Sequence, residues 1–462
     1  MNRRVLAQLS FGHLATDLSQ GALPALLPLF KSRYHLSYTD VGFIVLMANI
    51  SSSLIQPAFG VLSDRITMRW LMPIGSLVAG TGIVLAVQAS HFTVMIAMIF
   101  LSGLGVAAFH PEGYKFAGLA SGERRATGMS YFSAGGNVGF GFGPAAASLA
   151  LHYAGPHGMV YILPFSIAAA VVLWRVAAPR HRERLETAWR ASRGDTAPSP
   201  ARRAAEGTRA AGASAAALPA VRPAVFRFST RTVLMMLVSF VILRSWMSVG
   251  QSSFIPLYFT GIRHLNPTYA GLMVSLFLGA GSVGTLLGGI AADRWGRRRM
   301  LLWSTLILPP LLWAMPRAVA PAAMAASLVA GMAAVSTFAV VMVMAQSIIP
   351  ERIGLISGLM IGFAVGTGGI GTTLLGAVAD RWGVLRALDI TALLPLAAFA
   401  IAFLLPPDPP AAARERRPVS VAAVAALDKP GEAAALVNAR NREAERARTS
   451  SGGTRADAAR GQ

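Results

Sequence analysis

The sequence contains no cysteine, and charged residues make up only 13% of its 462 residues. The absence of cysteine excludes disulfide bonds, thiol catalysis and cysteine-ligated metals. Soluble globular domains carry about 25% charged residues, so the chain is too poor in charge for that class. Runs of about ten residues with alternating polarity, which β-barrel strands require, are also missing.

Hydrophobic residues, in contrast, make up 54% of the chain and are grouped into long runs. A membrane-spanning helix needs about 20 mostly apolar residues, and the sequence predicts twelve. Arg3 and Arg4 precede the first run without a small-residue cleavage site, so we expect the first helix to remain as an anchor. The predicted spans are 7–30, 38–62, 70–88, 92–113, 125–150, 158–178, 232–259, 269–291, 299–316, 320–345, 354–378 and 385–405.

The net charge of +21 would suit a nucleic-acid-binding protein, but its distribution argues against that function. Residues 179–231 contain 11 arginines against four acids, and residues 406–462 are also basic. Both segments are rich in Ala, Arg, Pro and Ser and have no apolar periodicity. They are therefore predicted to be a disordered linker and a disordered tail, with the lipid bilayer and not nucleic acid as the partner of the chain.

The short loops differ in their content of positive residues. With the N-terminus in the cytoplasm, the cytoplasmic loops carry more arginine and lysine than the opposite loops, as the positive-inside rule requires. We therefore expect a multi-pass protein of a bacterial inner membrane with both termini in the cytoplasm. The basic residues on the predicted cytoplasmic side, besides the linker, are Arg65, Arg69, Lys115, Arg124, Arg125, Arg294, Arg297, Arg298, Arg299 and Arg352.

The two halves of the sequence repeat at an offset of 229 residues. "HLSYTDVG" at 35–42 aligns with "HLNPTYAG" at 264–271. The same offset places Asp64 and Arg65 on Asp293 and Arg294. The sequence therefore predicts two six-helix bundles in the same orientation, 1–178 and 232–405, separated by the linker 179–231 and followed by the tail 406–462. This all-α integral membrane arrangement resembles the major facilitator fold, which binds its substrate between the halves.

Loops that follow two of the helices suggest a gate. "GGIAADRWGRRR" at 288–299 is similar to the major facilitator loop signature, and arginines there suit the negative end of a helix. The first-half copy departs from the signature at Thr67 and Met68. A third fragment, "GAVADRWG" at 376–383, has no assigned role beyond a helix-ending turn. The predicted gating residues are Gly60, Asp64, Arg65, Gly289, Asp293, Arg294, Gly296 and Arg297.

The fifth predicted helix contains "GGNVGFGFGPAAAS" at 135–148. Gly139, Gly143 and Pro144 fit the GxxxGP core that resembles the antiporter motif of drug exporters. The pattern favours export over import. The alternative is close packing of two helices through small residues.

Ionisable residues inside predicted spans are functional hypotheses by default, because burying a charge in lipid costs free energy. His13 and Asp17 are four residues apart on one face of the first helix. Asp17 is the best candidate to carry a proton, and His13 and Glu112 are candidates to assist it. The alternatives are structural: Asp17 could only stabilise the bundle through His13, and Glu112 could only pair with Lys115, Arg124 or Arg125.

A second group of polar residues is predicted to bind the substrate. Arg244 can grip a phosphonate or a carboxylate with two hydrogen bonds, although it could also be a permanent partner of Asp17. His110 precedes Pro111 and could instead cap a helix end. We expect neither a cofactor nor a metal site. The candidate substrate-binding residues are Arg244, Gln251, Asn137, Gln346 and His110.

Three stretches of the sequence resemble one family. They are "GHLATDLSQGALPALLPLFKSRYHLSYTDVGFI" at 12–44, "SSSLIQPAFGVLSDR" at 51–65 and "FHPEGYKFAG" at 109–118. They look like the fosmidomycin resistance protein family of the major facilitator superfamily, over about residues 5–405. The resemblance implies a proton-driven exporter of the bacterial inner membrane, and its namesake expels an anionic phosphonate antibiotic.

The leading hypothesis is thus a proton-coupled antiporter that exports a small anionic compound by alternating access, as a monomer. The alternative on the same fold is an importer or symporter of a small organic anion or metabolite. An enzyme would need clustered nucleophiles, metal ligands or phosphate-binding motifs, and "HPE" alone is weak. A receptor would need a folded soluble domain, and neither the linker nor the tail has the composition of one.

Overall fold

The computed structural model describes residues 1–65, 70–122, 124–178, 229–348 and 353–406. In these ranges the regular elements are helices, and no β-strand occurs. Most of the predicted linker and tail lies outside the described residues, as do Arg69 and Arg352. Their predicted disorder and position relative to the membrane stay predictions.

The helices follow the predicted spans in order. The first half contains α1 (Arg3–Arg33), α2 (Tyr38–Asn49, a π-helical turn at Ile50–Leu54, and Gln56–Arg65), α3 (Leu71–Gln88), α4 (Phe92–Ser121), α5 (Arg125–Ala154) and, after a 3₁₀ segment at Gly155–Ile162, α6 (Leu163–Val176). The second half contains α7 (Thr230–Gly261), α8 (Pro267–Trp295), α9 (Arg297–Ala314), α10 (Ala320–Ile348), α11 (Ile353–Trp382) and α12 (Val384–Leu404). The predicted all-α architecture of twelve helices is confirmed.

Within the described residues, eight helical stretches are long and apolar enough to cross a membrane by length and composition. One of them, Thr127–Val176, joins α5 and α6 into a single stretch. Helix α1, which carries His13 and Asp17, is not among the eight. The polar residues of α1 therefore need other helices, and not lipid, as neighbours.

The sequence repeat has a counterpart in the backbone. Ser37 begins α2 and forms a capping box with Asp40, and Asn266 begins α8 by accepting from the backbone N–H of Thr268. Such side chains satisfy backbone donors that a helix start leaves unpaired. Just before each cap, His35 and His264 adopt φ angles of 52° and 53°, the only positive values at non-glycine residues in the described ranges. The two halves thus enter their second helices through the same turn.

The apolar core differs between the two ends of the helix bundle. We call the end where α1 begins, at Arg3, the near end, and the end where α1 stops, at Arg33, the far end. At the far end one buried cluster includes residues of both halves, such as Phe30 and Phe254. At the near end the first half has its own cluster around Phe116, and the second half has another around Phe240. The apolar cores therefore join the halves at the far end.

Two pairs of helices make most of the contacts between the halves. Helix α2 packs on α11, and α5 packs on α8. Gly42 of α2 lies so close to α11 that an added Cβ would be 2.5 Å from the Cα of Thr373. Between α5 and α8, the Ser275 hydroxyl accepts a 2.8 Å hydrogen bond from the backbone N–H of Ala145. Small residues permit this close approach, as is usual between helices in membranes.

Candidate functional site

Helix α1 places two ionisable side chains together near the middle of the first half. The Nε2 atom of His13 lies 3.2 Å from the Oδ2 atom of Asp17, one turn further along the helix. The His13 side chain is only 4% exposed and that of Asp17 13% exposed. The predicted pairing of these two residues on one face of α1 is therefore present.

A third residue, His110 of α4, completes the group. Its Nε2 atom lies 3.4 Å from Oδ1 of Asp17 and 3.3 Å from Nε2 of His13. The sequence predicts His110 to bind substrate or to cap a helix end, and the structure places it beside Asp17. We call His13, Asp17 and His110 the triad.

Backbone carbonyls orient both imidazole rings of the triad. Nδ1 of His13 is 2.9 Å from the carbonyl oxygen of Phe132, and Nδ1 of His110 is 2.9 Å from that of Val106. A carbonyl can only accept, so each Nδ1 carries the hydrogen and donates it. If both rings are neutral, each Nε2 atom is then a hydrogen-bond acceptor. The two Nε2 atoms face each other and the carboxylate of Asp17. Three acceptors cannot satisfy one another, so a proton or another positive ion placed among them would complete their interactions.

Aromatic rings and a glycine enclose the triad. The Phe132 ring stacks on His13 with centroids 4.3 Å apart, and Tyr114 stacks on His110. On α5, a Cβ added to Gly136 would lie 2.3 Å from Nε2 of His13 and 2.7 Å from Oδ2 of Asp17. Gly136 therefore leaves the space that the polar atoms of the triad occupy.

Glu112, the third predicted proton-coupling residue, lies outside the triad. It is 1% exposed, and its Oε1 atom is 3.9 Å from the ammonium of Lys115, one turn further along α4. This is the local pairing that the structural alternative predicts. A role of Glu112 in coupling stays a prediction.

Arg244 and Gln251 point into the second bundle. Arg244 of α7 borders a cavity of about 10 Å³ whose other walls come from α9, α10 and α12. Its guanidinium carbon lies 5.1 Å from the centre of the Phe338 ring, and its Nε atom has no hydrogen-bond partner among the described residues. Gln251 donates a 2.6 Å hydrogen bond to Thr391 of α12.

The remaining predicted substrate residues are scattered. Asn137 of α5 is exposed, and Gln346 of α10 is partly buried. His110 belongs to the triad. In this conformation the structure does not bring the five predicted substrate residues into one pocket, and their role stays a prediction.

The GxxxGP residues of α5 form a contact with α1. A Cβ on Gly139 would lie 2.1 Å from the carbonyl oxygen of Leu14, and one on Gly143 would lie 2.6 Å from that of Leu18. The carbonyl oxygen of Pro144 faces Gly271 of α8. Close packing of α1 on α5 is therefore present, while the motif's link to export stays a prediction.

The loop signature after α8 has a structural role at the near end. Gly296 ends α8 with a φ of 102°, a value that favours glycine. Arg298 donates to the carbonyls of Ala402 and Phe403 at the end of α12, where the helix dipole is negative. Asp293 and Arg294 are exposed, Arg297 is partly buried, and Gly60 and Gly289 face open space. The side chains of Asp64 and Arg65 lie outside the described residues.

The sequence analysis missed the role of Asp380 in the third fragment, near the end of α11. Its carboxylate accepts from the backbone N–H of Tyr38 at 2.6 Å and from that of Thr39 at 2.9 Å. It also accepts from the Thr39 hydroxyl at 2.7 Å. Asp380 thus caps the start of α2 in the other half. The sequence signal for Asp380 was the Asp-Arg-x-Gly pattern, which also occurs in the loop after α8. The pattern does not show that the partner of Asp380 is the start of α2.

A larger cavity, of about 830 Å³, opens at the far end beside this cap. Residues from α1, α2, α5, α7 and α8 line it, and its basic members are Lys31, His35 and His152. The ammonium of Lys31 donates to the carbonyl of Leu36 and lies 4.3 Å from the centre of the Tyr38 ring. Lys31 therefore gives the cavity a cationic side chain at the junction of the halves.

Comparison with known families decides the identity of this fold. The sequence profile of the Major Facilitator Superfamily matches residues 9–263 and again 234–441. The chain belongs to the major facilitator superfamily. It is a transporter and not an enzyme, and it crosses the membrane several times.

Two relatives resemble it over most of its length. It is 29% identical to the fosmidomycin resistance protein of Escherichia coli (strain K12) over 407 residues, which are 87% of this chain and 92% of the relative. It is 30% identical to YfnC, an uncharacterized MFS-type transporter of Bacillus subtilis (strain 168), over 87% of this chain and 93% of the relative.

Solved structures share the fold at low sequence identity. A bacterial homologue of the human lysosomal transporter Spinster, in an inward-facing and occupied conformation, aligns with a TM-score of 0.64 at 14% identity and covers 87% of this chain and 96% of that chain. The nucleoside transporter NupG aligns with a TM-score of 0.67 at 12% identity and covers 87% of this chain and 99% of that chain. These likenesses confirm the major facilitator fold.

Proposed function

We propose that this major facilitator protein is a proton-coupled antiporter of the bacterial inner membrane that exports a small anionic compound. The observation that carries the proposal is the convergence of three polar groups in the triad. A single proton shared among His13, Asp17 and His110 would satisfy this arrangement. Because the triad joins α1 to α4, gain or loss of the proton changes the interaction between these two helices.

The substrate class is proposed from charge. Arg244 offers a partly buried cationic group that can bind a phosphonate or carboxylate, and Gln251, Asn137 and Gln346 would add neutral hydrogen bonds. The name of the relative from Escherichia coli supports a fosmidomycin-like phosphonate. In this scheme protonation of Asp17, with Glu112 as a second acid, competes with binding of the anion near Arg244.

The transport cycle is proposed to be alternating access between the near end, in the cytoplasm, and the far end, on the opposite side. The joined apolar core and the Asp380 cap support a conformation that is closed at the far end. Opening there would separate α2 from α11 and α5 from α8. The loop signatures and the GxxxGP contact would act as gating elements of this motion.

The proposal is tested by Asp17→Asn. The expected result is that a pH gradient no longer drives export of fosmidomycin, because the asparagine cannot take up the proton. The measurement is drug accumulation in inverted membrane vesicles with and without an imposed inside-acid gradient.

Asp389→Asn is the matched control, because Asp389 pairs with Arg317 in the second half, away from the triad. It should transport like the parent chain. If Asp17→Asn retained both export and its dependence on the gradient, the coupling role of Asp17 would be wrong.

A further inference from the structure

We propose that His13, Asp17 and His110 also form a binding site for one divalent transition-metal ion, with Zn²⁺ best suited to the geometry. The sequence gives no indication of such a site, because His110 is 97 residues away from His13. The inference goes beyond proton coupling, and it depends on neither the substrate nor the direction of transport.

The orientation of the rings is that of metal-ligating histidines. Such residues almost always donate their second ring N–H to a backbone carbonyl or a carboxylate, which fixes the ring and raises its basicity. His13 does so to Phe132, and His110 does so to Val106, both at 2.9 Å. Both Nε2 atoms are thereby left free to act as ligands, and both lie beside the carboxylate of Asp17.

The distances within the triad fit a tetrahedral ion. Bonds of about 2.0–2.1 Å from zinc to imidazole nitrogen and carboxylate oxygen place neighbouring ligand atoms about 3.3 Å apart. The two Nε2 atoms are 3.3 Å apart. Nε2 of His13 lies 3.2 Å from Oδ2 of Asp17, and Nε2 of His110 lies 3.4 Å from the other carboxylate oxygen, Oδ1. The three side chains can therefore bind an ion with little rearrangement.

The chemistry of the donors and their surroundings supports this site. Two imidazoles and one carboxylate are a ligand set that zinc accepts, with a fourth position left for water. The Oδ1 atom of Asp17 is shielded from solvent and has no hydrogen bond among the described residues. The absence of a side chain at Gly136 keeps space beside the ligand atoms. A bound ion would tie α1 to α4.

The test uses the full chain, purified in detergent and stripped of metal with a chelator. We expect Zn²⁺ to bind with a stoichiometry of one, measured by titration calorimetry. Co²⁺ should give the visible absorption bands of a tetrahedral ion, and Zn²⁺ should remove them. X-ray absorption of the zinc-loaded protein should show two imidazole ligands.

The variants His13→Gln and His110→Gln should each weaken Zn²⁺ binding by about tenfold or more, since even residues that only orient a ligand contribute that much. His152→Gln is the matched control, because His152 is exposed at the far end of α5. It should bind Zn²⁺ like the parent chain.

Two results would overturn the metal site: no saturable Zn²⁺ binding by the parent chain, or equal binding by the parent and both triad variants. If one variant failed to fold, the other triad variant would still decide, and the absorption and X-ray spectra of the parent chain would report the number and type of ligands. The binding measurement involves no transport. Its failure is thus distinguishable from failure of the coupling proposal, which is judged by gradient-driven export.

Discussion

At the scale of single residues, the local part of the site was predictable and the distant part was not. His13 and Asp17 pair because the helical period places residues four apart on one face. His110 reaches them through the packing of α4 on α1, which no spacing in the sequence encodes. Arg244 was predicted to bind the substrate, and the structure places it against Phe338 inside the second bundle.

Arg244 provides the prediction at this scale. If it binds the anionic substrate, Arg244→Ala should raise the KM for fosmidomycin export by about tenfold or more, because a hydrogen bond to a charged group contributes about 1.5–3 kcal/mol. Arg244→Lys should recover part of the loss. The measurement is the concentration dependence of drug accumulation in inverted vesicles.

Arg386→Ala is the control for this change, since the Arg386 side chain is 71% exposed. Thermal unfolding of each variant should be measured in parallel. If Arg244→Ala exported fosmidomycin with a normal KM, the prediction that Arg244 contacts the substrate would be contradicted. A lowered unfolding temperature with normal KM would assign Arg244 to the stability of the bundle.

At the scale of elements, the ends of helices add polar contacts between the halves. Ser37 and Asp40 cap α2 from within the first half. Asp380 adds a cap from the second half, and it pairs a charge with the positive start of α2. The fragment "GAVADRWG" ends a helix, as predicted, since Gly383 has a φ of 87°. The second role of this fragment, the capping of α2 by Asp380, depends on which helix packs against the end of α11.

Asp380→Asn should therefore weaken closure of the far end. Loss of a helix cap costs about 1 kcal/mol. A free-energy change of that size alters the ratio of closed to open molecules about fivefold. The measurement is the distance between spin labels on Ser32→Cys and Gly261→Cys, one in each half. The chain has no cysteine of its own, so the labels attach only there.

The expected result is a larger population with long distances between the labels. Asp389→Asn again serves as the control, because its partners Arg317 and Arg386 belong to its own half. An unchanged distance distribution for Asp380→Asn would show that the cap does not contribute to closure.

At the scale of the whole molecule, two repeats of six helices join at one end through a shared apolar core. The repeat at an offset of 229 residues predicted this symmetry, and the matching turns at His35 and His264 show it in the backbone. The contact surfaces of α2, α5, α8 and α11 were not predictable in detail. Their small residues allow close approach but do not specify which helices meet.

The prediction for the whole molecule concerns the direction of transport. An exporter with both termini in the cytoplasm should accumulate fosmidomycin in inverted vesicles under an inside-acid gradient and should protect a susceptible host deleted for its own exporters. An importer would instead accumulate the compound in right-side-out vesicles and sensitise the host. The GxxxGP sequence favours the first outcome.

The sequence by itself determined the elements of this protein: twelve helices, their repeat in two halves and the pairing of His13 with Asp17. These features are local, because hydrophobicity and the helical period act over a few residues. The tertiary structure decided the rest. The rotation of each helix against its neighbours brought His110 to Asp17, turned Arg244 towards Phe338 and placed Asp380 on α2, since packing between distant segments sets these contacts.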